Sequence, residues 1–81
     1  MSISPFDLLE PGTKVKVNNK SGYVVSSKYV PEATGHGLIA SNTIHFTHIY
    51  KYMGRGTYKP YPIKREYEAR VNYSCIDVII N

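Results

Sequence analysis

No tryptophan occurs in the chain, and cysteine occurs once, at Cys75. A lone thiol cannot staple a chain to itself, so the fold stands without an internal disulfide. No apolar run approaches the ~18 residues that a membrane span needs. Residues 1–7 carry neither the basic nor the apolar region of a signal peptide. A reducing, cytoplasmic setting is the expectation, with no membrane partner. The motifs of common chemistries are also missing: no Gly-x-Ser-x-Gly, no P-loop and no His-Glu-x-x-His. Neither an internal repeat nor a low-complexity segment is visible. Acidic residues are few, six against ten Lys and Arg, which leaves a net charge of +4. That balance favours anionic partners such as nucleic acid, nucleotides or acidic protein surfaces.

What the chain does have is tyrosine, eight residues among 81. Tyr combines an apolar ring with a polar tip, which suits half-buried sheet faces and wet binding surfaces. A hydrophobic content of 42% with 20% charged residues is that of a globular chain. At this length one domain is expected, burying about 60% of the surface its unfolded form exposes.

Strand patterns dominate. Residues 4–9 read as a single N-terminal helical turn, with Ser4 capping, Pro5 at the first position and Asp7 three residues on. Phe6, Leu8 and Leu9 would then plug one end of a sheet. Residues 13–18 alternate, with Val15 and Val17 inward and Lys14 and Lys16 outward. Residues 19–22 carry turn chemistry, and residues 23–30 form a second strand with a bulge or strong twist beside Gly22. A loop follows, in which Gly35 and Gly37 flank His36. The run Leu38-Ile39-Ala40 is too short to assign, and Ser41-Asn42 signals a turn. A long strand covers residues 43–53, with Ile44, Phe46, His48, Tyr50 and Tyr52 on the better core face, and His45, Thr47 and Lys51 exposed. Gly54-Arg55-Gly56 breaks it. Residues 57–63 contain Pro60 and Pro62, which lack amide donors, so this segment is an extended loop or a sheet edge. From residue 66 the apolar set is Tyr67, Ala69, Val71, Tyr73 and Cys75. It then switches parity to Ile76, Val78 and Ile80, which demands a bulge or turn near residues 72–75.

These elements predict an all-β domain. It has about five antiparallel strands and one short helical turn, closed into a small barrel or sandwich that hides its edges. The opening hairpin, residues 12–25, resembles the first hairpin of small SH3-like barrels, including KOW-type modules. Residues 76–80 resemble the last strand of such barrels. Asn18-Asn19-Lys20 departs from the KOW pattern, where a glycine is usual. Members of that group bind nucleic acid, peptides or other proteins, so the resemblance implies a binding domain and leaves its ligand open.

The chemistry concentrates in residues 50–65. Lys51, Arg55, Lys59, Lys64 and Arg65 interleave with Tyr50, Tyr52, Tyr58 and Tyr61. Phosphate recognition needs cationic donors, and base recognition needs aromatic faces at neighbouring spacing. The expected ligand-binding residues are therefore Lys51, Arg55, Tyr58, Lys59, Tyr61 and Arg65, with His36 added from its glycine-flanked loop. His45 and His48 are three apart, which on a strand points them to opposite faces, so a shared metal is not expected. Cys75, on the apolar parity, reads as a buried inert thiol. Glu66 and Glu68 read as solvated cross-strand partners of neighbouring arginines. No catalytic role, cofactor or metal is expected. The leading function is recognition of a phosphate-bearing ligand, nucleic acid or a small nucleotide. The other reading is a protein-interaction module, a small inhibitor or adaptor that docks through the edge around Pro60 and Pro62. Self-association through that edge is compatible with both.

Overall fold

A computed structural model describes residues 3–35 and 37–79. Five antiparallel strands build one sheet: β1 (Lys14–Val17), β2 (Lys20–Pro31), β3 (Leu38–Gly54), β4 (Thr57–Val71) and β5 (Ile76–Val78), in the order β4-β3-β2-β1-β5. Among the described residues the only helical element is a 3-10 turn, Tyr73–Cys75. The expected N-terminal turn is present as one hydrogen-bonded turn. Asp7 N donates to Ser4 O, and the Ser4 amide donates to the Asp7 carboxylate.

The sheet is rolled rather than flat. Strands stand about 4.8 Å apart, so β4 and β5 would be about 19 Å apart in a flat five-stranded sheet. The chain crosses from Val71 to Ile76 through a 3-10 turn, which rises only about 2 Å per residue. The core gives the same answer. Val15, Ile44 and Ile76 come from β1, β3 and β5, all are 0% exposed, and they share one cluster with Val17, Val24 and Phe46. No helix layer among the described residues covers them, so the sheet covers itself. Each such side chain contributes roughly 1.5–3 kcal/mol relative to an exposed one. The two-sheet sandwich is thereby set aside in favour of a rolled single sheet.

Several boundaries differ from the sequence reading, each for a physical reason. The first turn is Asn18–Asn19, one step earlier than expected. Val17 pairs with Lys20, and Asn18 takes φ +53, which Asn tolerates better than most residues. Ser41 and Asn42 are strand, not turn. They lie opposite Lys28 and Ser27 of β2, Asn42 also pairs with Val71 of β4, and this sheet pairing overrides local turn chemistry. Asn42 is fully buried; its Oδ1 accepts from Ser27 Oγ at 2.6 Å, and its Nδ2 has no partner among the described residues. A register shift lies beside Gly22, as expected, and the extra residue is Thr47 of β3, between the pairs Ser21↔His48 and Gly22↔Phe46. Gly22 itself has no room for a side chain. It faces the core between Val15 and Phe46, where a Cβ would collide with the His45 carbonyl. The parity change after Val71 is absorbed by the 3-10 turn, with Asn72 capping Ser74. That turn leaves Cys75 exposed, which corrects the expectation of a buried thiol. Phe6 and Leu8 are exposed as well, and the plugging role falls to Ile3 and Leu9. Ile80 lies outside the described residues.

Candidate functional site

Strand β3 outruns its neighbour. β2 begins at Lys20, opposite Ile49, and Tyr50 N donates to Asn19 O at the last contact with the β1–β2 turn. Beyond that point, among the described residues, β3 and β4 have only each other, with Tyr50↔Pro60, Lys51↔Lys59 and Tyr52↔Tyr58 in register and a shift past Met53 to the pair Gly54↔Thr57. Residues 57–63, expected as a loop or an edge, are an edge strand throughout. Pro60 and Pro62 share one parity, so they remove two amide donors from this half of β4.

The tip is Arg55-Gly56, both with positive φ, +55 and +73. Two positive φ values in a two-residue loop make a type I′ turn, whose twist matches that of the flanking strands. Thr57 Oγ1 donates to Gly54 O, and Gly56 N donates to Tyr52 Oη. Arg55 is thus fixed at the most projecting point of the ribbon, in a conformation that Asn or Gly would adopt with less strain.

Opposite residues of an antiparallel pair share a face. One face carries Lys51, Lys59 and Tyr61, and the other carries Tyr50, Tyr52 and Tyr58. Lys51 Nζ sits 5.2 Å over the Tyr61 ring, and the Tyr61 hydroxyl reaches Met53 Sδ. Tyr52 and Tyr58 meet edge to face at 5.3 Å; both are more than half exposed, so Tyr52 is no part of the core. Lys16 of β1 covers one face of Tyr50 at 4.7 Å, and Lys20 of β2 lies 5.3 Å from the Tyr67 ring centre.

No acidic residue occurs between Glu32 and Glu66. Among the described residues no lysine or arginine lies within ion-pair distance of a carboxylate; the ion pairs present both involve His45. Lys51 and Lys59 stand directly opposite each other without a counter-charge, a destabilising arrangement that a bound anion would relieve.

Of the residues expected from sequence, Lys51, Arg55, Tyr58, Lys59 and Tyr61 are brought together on this ribbon. Arg65 sits at its base. Four β4 residues, 63–66, stand between the pairs His48↔Pro62 and Phe46↔Tyr67, against the single Thr47 on β3. Half-buried Ile63 anchors that excursion against the core, while Lys64 and Arg65 are exposed. His36 lies outside the described residues.

One cluster around His45 was not legible in the sequence. His45 Nε2 meets Glu66 at 2.9 Å, Nδ1 meets Glu68 at 3.3 Å, and the ring stacks on Tyr23 at 5.1 Å. The Glu66 hydrogen bond, above all, raises the His45 pKa from its ordinary value; partial burial opposes it and the Glu68 bond assists. His45 is therefore half-buried and engaged rather than free, and the two glutamates serve it instead of the arginines. The pairing depends on the length of the 63–66 excursion, which alternation alone does not reveal. The carboxylates occupy opposite ring nitrogens, an ion-pair geometry with no common point for a metal. No metal-binding group of three or more His, Cys, Asp or Glu occurs among the described residues.

A pocket of about 330 Å³ lies beside this cluster, lined by Lys14, Ser21, Tyr23, Thr47, His48 and Ile79 among others. It includes none of the residues expected to bind ligand. No helix is long and apolar enough to cross a membrane among the described residues. Comparison with family models, with curated proteins and with solved structures returns no match.

Proposed function

We propose that this domain is a non-enzymatic binding protein for phosphate-bearing ligands, acting through the β3–β4 ribbon. The observation that carries the reading is Arg55, held at positive φ on the tip of a ribbon whose cations have no acidic partner among the described residues. A strained backbone at an exposed arginine is a cost without return in the isolated chain, and a phosphate or base edge supplies the return. The ribbon projects, and neither the pocket beside His45 nor a second one of about 240 Å³ lined by Val30, Ile39, Arg70 and Tyr73 is lined by Lys51, Arg55, Tyr58, Lys59, Tyr61 or Arg65. That favours a polymer over a small nucleotide, which needs a concave site. The SH3-like resemblance stays part of the proposal. The two stretches that carry it meet, since β1 pairs with both β2 and β5.

The test is oligonucleotide binding against salt. Neutralising four or five phosphates gives a log–log slope near −4. Lys59→Glu places a carboxylate opposite Lys51 and is expected to weaken binding at least tenfold. The same substitution should raise stability by about 0.5 kcal/mol, because an opposed like-charge pair becomes an ion pair. Binding that ignores salt and tolerates Lys59→Glu overturns the proposal.

A further inference from the structure

We infer that the β3–β4 ribbon enters the major groove of duplex DNA, an inference that rests on the anionic-ligand reading and narrows it. Three features of the ribbon select this substrate. The first is shape. From Tyr50 to the tip and back to Pro60 the two strands have no other strand beside them among the described residues. Five residues at about 3.3 Å each give a reach near 17 Å. The major groove of B-DNA, about 12 Å wide and 8.5 Å deep, admits a two-stranded ribbon. The major groove of A-form RNA is too narrow for side chains to read.

The second feature is the placement of charge around the base of the ribbon. Lys16 lies on the β1 side of β3, and Lys64 and Arg65 lie on the β4 side; Lys20 rises from β2, but its ammonium reaches across β3 to the Tyr67 ring of β4. A ribbon seated in a groove has a phosphate wall on each side, and cations stand toward both walls. Lys51 and Lys59 lie between them on one face, and Arg55 leads at the tip. An arginine there can fork onto the O6 and N7 acceptors of guanine, the commonest specific contact in that groove.

The third feature separates a duplex from a single strand. Single strands are gripped by stacking bases on open aromatic faces. Here Tyr50 has Lys16 over one face and Tyr61 has Lys51 over one face, while Tyr52 and Tyr58 are turned edge to face. Each ring serves to position a lysine or another ring, not as one of a row of parallel platforms.

The experiment is fluorescence anisotropy at low salt with one mixed sequence of about 20 bp offered as duplex DNA, as duplex RNA and as the unpaired DNA strand, a length that spans about two turns of helix. Dimethyl sulfate probing of guanine N7 on the duplex DNA accompanies it. The expected result is at least tenfold tighter binding to duplex DNA than to either other probe, with N7 protection. Arg55→Ala is expected to abolish the protection and weaken duplex binding about tenfold, with the salt slope little changed, because the lost contact is to a base edge and not to a phosphate. Equal or tighter binding to the single strand, or to duplex RNA, overturns the groove placement and leaves the anionic-ligand reading standing. Tight duplex binding without N7 protection overturns major-groove entry in the same way. Absence of binding to all three probes overturns both. Lys14→Ala lies outside the proposed surface, keeps the core residues intact and is expected to bind duplex DNA like the parent. A loss as large as that of Arg55→Ala would count against the ribbon as the site.

Discussion

At the scale of single residues, Arg55 and His45 make opposite demands on the chain. A type I′ turn prefers Asn or Gly at its first central position, yet arginine occupies it at φ +55. Arg55→Asn should therefore stabilise the fold while weakening anion binding. A gain of about 1 kcal/mol corresponds to a rise of some 4–8 °C in Tm for a domain of this size, readable by thermal denaturation beside a binding titration. Unchanged Tm with unchanged binding would remove the case for a retained strain. His45 behaves differently. Glu66 and Glu68 of β4 and Tyr23 of β2 surround it, and the Glu66 bond raises its folded pKa. The protonated form is the one favoured by folding. Its contribution is full below the unfolded value, about 6.5, and is lost as pH rises through the higher folded pKa. Urea midpoints measured upward from about pH 6.5 should fall, and His45→Gln should flatten that slope. A slope that survives the substitution would assign it to another group. The sequence showed Arg55 as a candidate because it falls among the interleaved cations and tyrosines of residues 50–65. It could not show the His45 cluster, because Glu66 reaches His45 only through the excursion of residues 63–66.

At the scale of elements, the clean alternations were legible. Val15 and Val17 mark β1, Ile44 and Phe46 mark the buried half of β3, and each points as a period of two requires. Segments went unread where tertiary pairing outweighed local preference. Leu38, Ser41 and Asn42 are drawn into β3 by β2 opposite them. Residues 57–62 form a strand despite two prolines because they lie at the edge, where a missing donor breaks no ladder. The same prolines guard the ribbon against strand addition by another chain. The stabilising, binding-deficient outcome expected of Lys59→Glu belongs to this level, since the cost it removes exists only because the hairpin register opposes two lysines.

At the scale of the molecule, the division of labour is spatial. A rolled sheet buries Val15, Ile44 and Ile76 between two extensions, the β2–β3 hairpin beyond Asn42 on one side and the two-stranded β3–β4 ribbon on the other. Ile76→Ala should cost about 2–5 kcal/mol, a large share of the roughly 4–12 kcal/mol available to a chain of this length. Guanidinium titration would show it as a sharp loss of midpoint. An unchanged midpoint would mean that β5 contributes little to the core.

The pairing of β5 with β1 has a kinetic corollary. Val15 and Val78 are neighbours in the sheet but are separated by most of the chain. Closing so long a loop has an entropic cost that precedes any reward from packing. The β3–β4 and β2–β3 hairpins are local and can form early, on the microsecond scale of isolated hairpins. The step that joins first strand to last sets the pace, and folding should take milliseconds to seconds, as in other β-folds dominated by distant contacts. Until that step, the ribbon can already be shaped while the core beneath it is still open.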